Sequence, residues 1–178
     1  MHKEAYRRPS AVRPARAHLS ATHLVRGAAP SDAADIHELV SAHVEGGALL
    51  PRSVDEIAAT VDDFVVVTDG HDRVVACAAL HAYSPSLAEV VSVVVNPALQ
   101  GRGLGSMAVR GVEALARRRG VDELFAVTVA DGFFSSLGYE RCALARYPEK
   151  LARYDALARR GVRIVPKSCF RKRTAWPG

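Results

Sequence analysis

The stretch Gln100-Gly101-Arg102-Gly103-Leu104-Gly105 places three glycines in six residues, directly before an amphipathic run that continues to Arg119. Glycines at this spacing tolerate positive φ and let a ligand come close to the main chain. A helix beginning there aims its free N–H groups and the positive end of its dipole at one point. The chemistry offered is anion binding, on the scale of a pyrophosphate. The preceding run, Val90-Val91-Ser92-Val93-Val94-Val95, is almost purely β-branched, as suits a strand buried on both faces. Asn96-Pro97 ends it, because proline has no N–H for a ladder. A dinucleotide turn would follow the first strand and be answered by an acidic residue about 20 positions later, whereas this turn lies mid-chain. A Walker loop would need GxxxxGK[ST], and no such lysine stands here. An ordinary glycine loop between strand and helix is the plain alternative.

Other residues carry chemistry by type but little by spacing. Glu89, between Ala88 and Val90, is the carboxylate nearest the β-branched run. It reads either as a solvent-facing strand-end glutamate or as a partly desolvated base. Thr128 closes the run Leu124-Phe125-Ala126-Val127-Thr128, an ordinary place for a threonine. Arg52 reads as a surface charge or an anion ligand, and Lys167-Ser168 is equally ambiguous. His81 reads as a base or a structural strand residue. Cys77 has no charged sequence neighbour to lower its pKa and reads as core.

The elements that must position these residues follow from periodicity and punctuation. His23 to Gly27 reads as a first strand. Ser31 reads as the N-cap of a helix carrying Ile36, Leu39, Val40 and Val44 on one face and ending at Gly46-Gly47. Ser53 caps a second short helix through Thr60. Strands are expected over Phe64–Thr68 and Arg73–His81, joined by a turn at Asp69–Asp72, and then over Leu87–Val95. After the main helix come a strand at Asp122–Val129, a short helix at Asp131–Leu137 closed by Gly138, a strand at Tyr139–Ala145, a helix at Pro148–Arg160 opened by proline, and a strand at Ile164–Arg173. The order β-α-α-β-β-β-α-β-α-β-α-β is mixed α/β with a mostly antiparallel first half.

The 178 residues suit one domain, with 49% hydrophobic and only 6% aromatic residues, so the core is built mainly of Val, Leu and Ala. Residues 1–20 carry five Lys/Arg against Glu4, lack periodicity, and read as a disordered basic arm before a domain at 21–178. Residues 151–173 carry eight Lys/Arg against Asp155. Only Tyr154 and Phe170 fall among those cations, fewer than stacking on bases would want, so nucleic acid is not the expected partner. No apolar run reaches membrane-spanning length and no secretory leader is visible. Cys77, Cys142 and Cys169 lack CxxC spacing, so no metal site is expected, and a reducing cytoplasm is the simplest setting.

The strand, turn and helix together, VVVNPALQGRGLGSMAVRGVEALARRRGV, resemble the acetyl-CoA element of the GNAT acyl-CoA N-acyltransferases. The resemblance implies a GNAT fold, a mixed and mostly antiparallel sheet flanked by helices. It also implies that backbone amides of Val93, Val95 and of Gln100, Gly101, Arg102, Gly103, Leu104, Gly105 and Ser106 hold acetyl-CoA. The segments ALLPRSVDEI, FVVVTDGHDRVVACAALHAYSPSLAEVVSVVVNP, LFAVTVADGFFSSLGYER and YPEKL extend the likeness over roughly residues 23–173 to the acetyltransferase domain of the N-acetylglutamate synthases. That resemblance implies Arg52 as ligand of a substrate carboxylate, Glu89 as general base and Thr128 as acid towards the CoA thiolate. It adds Lys167-Ser168 and the backbone near Ser92 as the rest of an amino-acid site. The late pair is lysine-serine where the family commonly has arginine, and lysine cannot grip a carboxylate with a planar fork. The expected activity is transfer of acetyl to the α-amine of L-glutamate, opening arginine biosynthesis, by direct attack and without a metal. The amino-acid-kinase domain of full-length synthases has no counterpart here, so a stand-alone form is expected, with a homodimer compatible with it. The rivals are an acetyltransferase for glutamine, another small amine or a protein N-terminus, and a non-catalytic acyl-CoA-binding regulator.

Overall fold

The computed structural model describes residues 23–44 and 49–174. The expected arm at 1–20 and the helix stop at Gly46-Gly47 lie outside them. In chain order the elements are β1 (Leu24–Gly27), α1 (Ala33–Ser41), α2 (Val54–Ala59), β2 (Phe64–Thr68), β3 (Val74–Ala82), β4 (Leu87–Val95), α3 (Leu104–Arg118), β5 (Glu123–Thr128), α4 (Asp131–Ser136), β6 (Glu140–Cys142), α5 (Pro148–Arg159) and β7 (Ser168–Arg173). The strands form one open sheet in the order β1-β2-β3-β4-β5-β7-β6. All pairings are antiparallel except β4 with β5.

Strand alternation builds two cores from one sheet. In β2, Val65 and Val67 face α3, joining Ala108, Val109 and Val112, while Phe64 and Val66 face α1 and α2, joining Ile36, Val40 and Ile57. Both faces are covered, which explains the unbroken β-branched run. Gly111 lets α3 lie directly on the sheet, since a Cβ there would meet Val65 at 2.5 Å. Ser53 and Glu56 form the capping box at α2, with Glu56 N–H donating to Ser53 Oγ at 3.1 Å and Ser53 N–H to Glu56 at 2.8 Å.

Four local expectations are corrected. Ser31 is not an N-cap: a short 3₁₀ turn at Pro30–Asp32 precedes α1. There the Asp32 carboxylate accepts from Ala29 N–H and from Arg26 at 2.6 Å, so it outcompetes a hydroxyl. The first helix stops at Ser41, although Val44 still packs on its core. The strand expected over Tyr139–Ala145 pairs only at Glu140–Cys142, because a 3₁₀ turn at Leu144–Arg146 redirects the chain into α5. The last strand begins at Ser168 rather than Ile164, where it first finds β5 and β6 to pair with. Cys142 and Cys169, distant in sequence, are register partners with free thiols 3.4 Å apart.

Candidate active site

The strand β4 does not run straight. Along β3, Cys77 and Ala79 are two residues apart, but their partners Val94 and Val91 are three apart. The extra residue is a bulge at Ser92, whose φ is +53°. It reverses the strand's facing: Ala88 and Val90 belong to the α3 core before it, Val93 and Val95 after it. Pairing of β4 with β5 covers only Leu87–Glu89 against Glu123–Phe125. Beyond that, β4 follows β3 and β5 follows β7, and the two central strands part in a wedge. Asn96 N–H donates to Val75 C=O at 2.9 Å on the β3 side. Alternation therefore turns the amides of Val95 and Val93 towards the wedge.

The glycine turn closes one end of the wedge. Gly101 and Gly103 have φ of +75° and +81°, and no atom lies within 4 Å of where their Cβ would stand. Backbone conformation, not crowding, requires glycine there, and the space above the turn is open. Gly103 caps α3 without any side-chain hydrogen bond, so the N–H groups of Leu104, Gly105 and Ser106 have no intrahelical acceptor. The implied acyl-CoA fits this cradle of exposed turn, free amides and unfilled space.

At the base of the wedge lies a cavity of about 210 Å³ lined by Arg52, Glu89, Ser92, Val93, Thr128 and Lys167, together with His43, Lys150, Arg153 and Tyr154. Six residues singled out in the sequence thus meet in one place. Glu89 is only 2% exposed. Its carboxylate accepts from Lys150 Nζ at 2.6 Å and from the Tyr83 hydroxyl at 3.0 Å. It is a buried, hydrogen-bonded ion, not a solvent-facing strand end. Burial pushes the Lys150 pKa down while Glu89 opposes the shift. Arg52 lies over the Phe64 ring at 5.5 Å, its pKa lowered by burial and then by Arg153. Its Nη1 and that of Arg153 are buried without a hydrogen-bond partner among the described residues. The Lys167 pKa is also lowered, by burial and then by Lys150.

Thr128 Oγ1 accepts from Ala130 N–H at 2.9 Å, which keeps its own proton available on the β5 wall. Ser168 is the exception among the expected ligands. It does not line the cavity, and its hydroxyl donates to Asp131 at 3.0 Å. Cys77 is fully buried, and burial pushes its thiol up to about 12. His81, opposite Glu89 in the β3–β4 register, is pushed down to about 4 by burial and by Arg153, Arg52 and Lys150.

The sequence reading missed Tyr83, Lys150, Arg153 and Tyr154. One signal was present: positions 150, 153 and 154 share a helix face. Their meaning depends on Glu89, 61 residues from Lys150. Among the described residues no cluster of three or more His, Cys, Asp or Glu side chains could hold a metal, and no helix is long and apolar enough to cross a membrane.

Comparison with known proteins agrees with this geometry. The acetyltransferase (GNAT) family matches residues 37–139. An uncharacterised N-acetyltransferase of Chlorobaculum tepidum is 33% identical over 129 residues, covering 72% of this chain and 83% of that protein. An amino-acid acetyltransferase of Pseudomonas fluorescens is 32% identical over 127 residues, 70% of this chain but only 29% of that longer protein. The N-acetylglutamate synthase of Neisseria gonorrhoeae, solved with coenzyme A and N-acetyl-glutamate, superposes with a TM-score of 0.75 at 23% identity, over 88% of this chain and 36% of that one. From the splayed central strands, the glycine turn and these matches, the chain belongs to the GNAT acetyltransferase family.

Proposed function

We propose that this protein transfers acetyl from acetyl-CoA to the α-amine of an amino acid, and that the amino acid is L-glutamate. The observation that carries the reading is the cavity itself. Where β4 and β5 part, it joins a buried carboxylate, Glu89, to a half-buried arginine, Arg52, whose Nη1 is buried without a partner among the described residues. A polyamine would meet cations there, whereas a carboxylate satisfies them. The resemblance of the Pseudomonas amino-acid acetyltransferase supports the same substrate class.

In this reading the amides of Val93, Val95 and the turn from Gln100 to Ser106 hold the acyl donor and polarise its diphosphate and carbonyl. Arg52 binds a substrate carboxylate through its planar fork. Glu89 takes the proton of the substrate ammonium, directly or through water. Each of its oxygens keeps a lone pair beyond those used by Lys150 and Tyr83. Thr128, on the opposite wall, donates to the departing thiolate. A buried Cys77 with a raised pKa offers no nucleophile, so attack is direct. The test is thiol release from acetyl-CoA by the purified protein with a panel of amino acids and polyamines. Glutamate should give the highest kcat/KM; preference for a polyamine, or no release with any amine, would overturn the assignment.

A further inference from the structure

We infer that Arg153 is a second carboxylate ligand of the cavity, so that its substrate is a dianion held between Arg52 and Arg153. The inference rests on the amino-acid reading and adds to it a specificity residue on α5. Arg52 comes from the loop before α2 and Arg153 from α5, two elements far apart in sequence that meet on the walls of one cavity. Each has Nη1 buried without a hydrogen-bond partner among the described residues. Such groups are rare in folded proteins, and each carries an unrecovered desolvation cost. The two guanidinium groups also repel, since Arg153 lowers the pKa of Arg52. Two like charges on one cavity, each with an Nη1 short of an acceptor among the described residues, are relieved together by a ligand with two anionic groups.

The rest of the cavity leaves this role open for Arg153. Lys150 is engaged by Glu89 at 2.6 Å. Ser168 is turned to Asp131, which also receives Arg141. Arg153 sits beside the Tyr83 hydroxyl, which in turn donates to Glu89, so it stands one side chain away from the proposed base. A carboxylate on Arg153 is thereby within reach of the site where the amine must lose its proton. Its fork offers two parallel donors, which the lysine of Lys167-Ser168 does not.

The experiment is calorimetric titration of the CoA-loaded protein with L-glutamate and with glutarate, which has both carboxylates and no amine, alongside thiol-release kinetics. Wild type should bind both. Arg153→Met should weaken both by about 10–200-fold, the range of charge-assisted hydrogen bonds, raising the glutamate KM more than it lowers kcat. Arg153→Lys should recover part of the affinity. Tyr83→Phe should leave the glutamate dissociation constant unchanged. The inference is overturned if wild type binds neither dicarboxylate, or if Arg153→Met and Arg153→Lys both bind within twofold of wild type. It is also overturned if Tyr83→Phe reproduces the loss, because Arg153 would then act only by holding Tyr83. Arg153-dependent binding without thiol release would defeat the proposed acetyl transfer and leave the dianion site standing. Glutamate turnover that ignores Arg153 would do the reverse.

Discussion

The two sides of the wedge offer a ligand different kinds of group. On the turn side the groups on offer are main-chain amides, from Val93, Val95 and the start of α3, and the defining requirement is that Gly101 and Gly103 carry no side chain at positive φ. On the α5 side they are side chains from separate elements: Arg52 before α2, Glu89 in β4, Lys150 and Arg153 in α5, Lys167 before β7. A main-chain site is fixed by conformation and survives most changes of sequence. A side-chain site changes its ligand with one substitution. In the proposed reaction the donor half therefore follows from the fold, while the acceptor half belongs to this chain's own residues.

The largest effect should come from Glu89, the one group on the side-chain half proposed to take the amine's proton. Glu89→Gln should lower kcat by about 10²–10⁴, the usual range for a general base, with the acetyl-CoA KM unchanged in steady-state kinetics. Its partner separates chemistry from stability. Lys150→Met leaves a buried carboxylate without its cation and should cost about 3–5 kcal/mol of unfolding free energy. Replacing both, as Glu89→Leu with Lys150→Met, should restore most of that stability in denaturant titration and leave the enzyme inactive. A double variant as unstable as Lys150→Met would make the pair a structural element, and a Glu89→Gln enzyme of normal kcat would remove the base from the mechanism.

The same division explains what could be read from the sequence. The β-branched runs of β2 and β4 and the glycine turn are local signals, and each produced the expected element. The bulge at Ser92 is not local, because it depends on register with β3. Glu89 stays open between a strand end and a desolvated base because its cation partner comes from α5, whose Lys150 reaches it across 61 residues. Ser168 has the right residue type, and only the fold shows that Asp131 captures its hydroxyl. The segment Pro148–Arg160 reads only as a helix opened by proline. Spacing puts its Lys150, Arg153 and Tyr154 on one face, but that this face lines a cavity depends on the contact of Lys150 with Glu89 in β4.

A crossed pair of variants measures how independent the two halves are. Arg52→Ala removes a charge-assisted bond worth about 1.5–3 kcal/mol, and should reduce kcat/KM for glutamate by roughly 10–200-fold. Most of that should appear in KM, because the carboxylate is bound before and during transfer alike. Gly103→Val forces a β-branched residue to φ +81°, a strain of about 1–3 kcal/mol, and puts a side chain where the diphosphate approaches. It should raise the acetyl-CoA KM and spare that of glutamate. If either variant moved both constants equally, the two sides would be coupled through the wedge and the division would fail.

The smallest expected effect lies at His81, which reports the field of the acceptor side without touching the reaction. Its pKa falls from 6.5 to about 4 because it is half-buried and faces Arg153, Arg52 and Lys150. The unfolded chain binds this proton more readily than the folded one between those values. The stability His81 contributes is thus complete above pH 6.5 and is lost as pH falls towards 4. Solvent reaching the half-exposed ring screens the effect. In thermal unfolding over that window, His81→Gln should lose less stability on acidification than wild type. If glutamate binds as proposed, saturating it places two carboxylates opposite Arg52 and Arg153, cancels part of the repulsion, and should raise the His81 pKa in an NMR titration. Acetyl-CoA, bound by the main chain on the far side of the wedge, should not. A His81 pKa that responds to acetyl-CoA as strongly as to glutamate would show that the cations on the α5 side belong to the donor site as well.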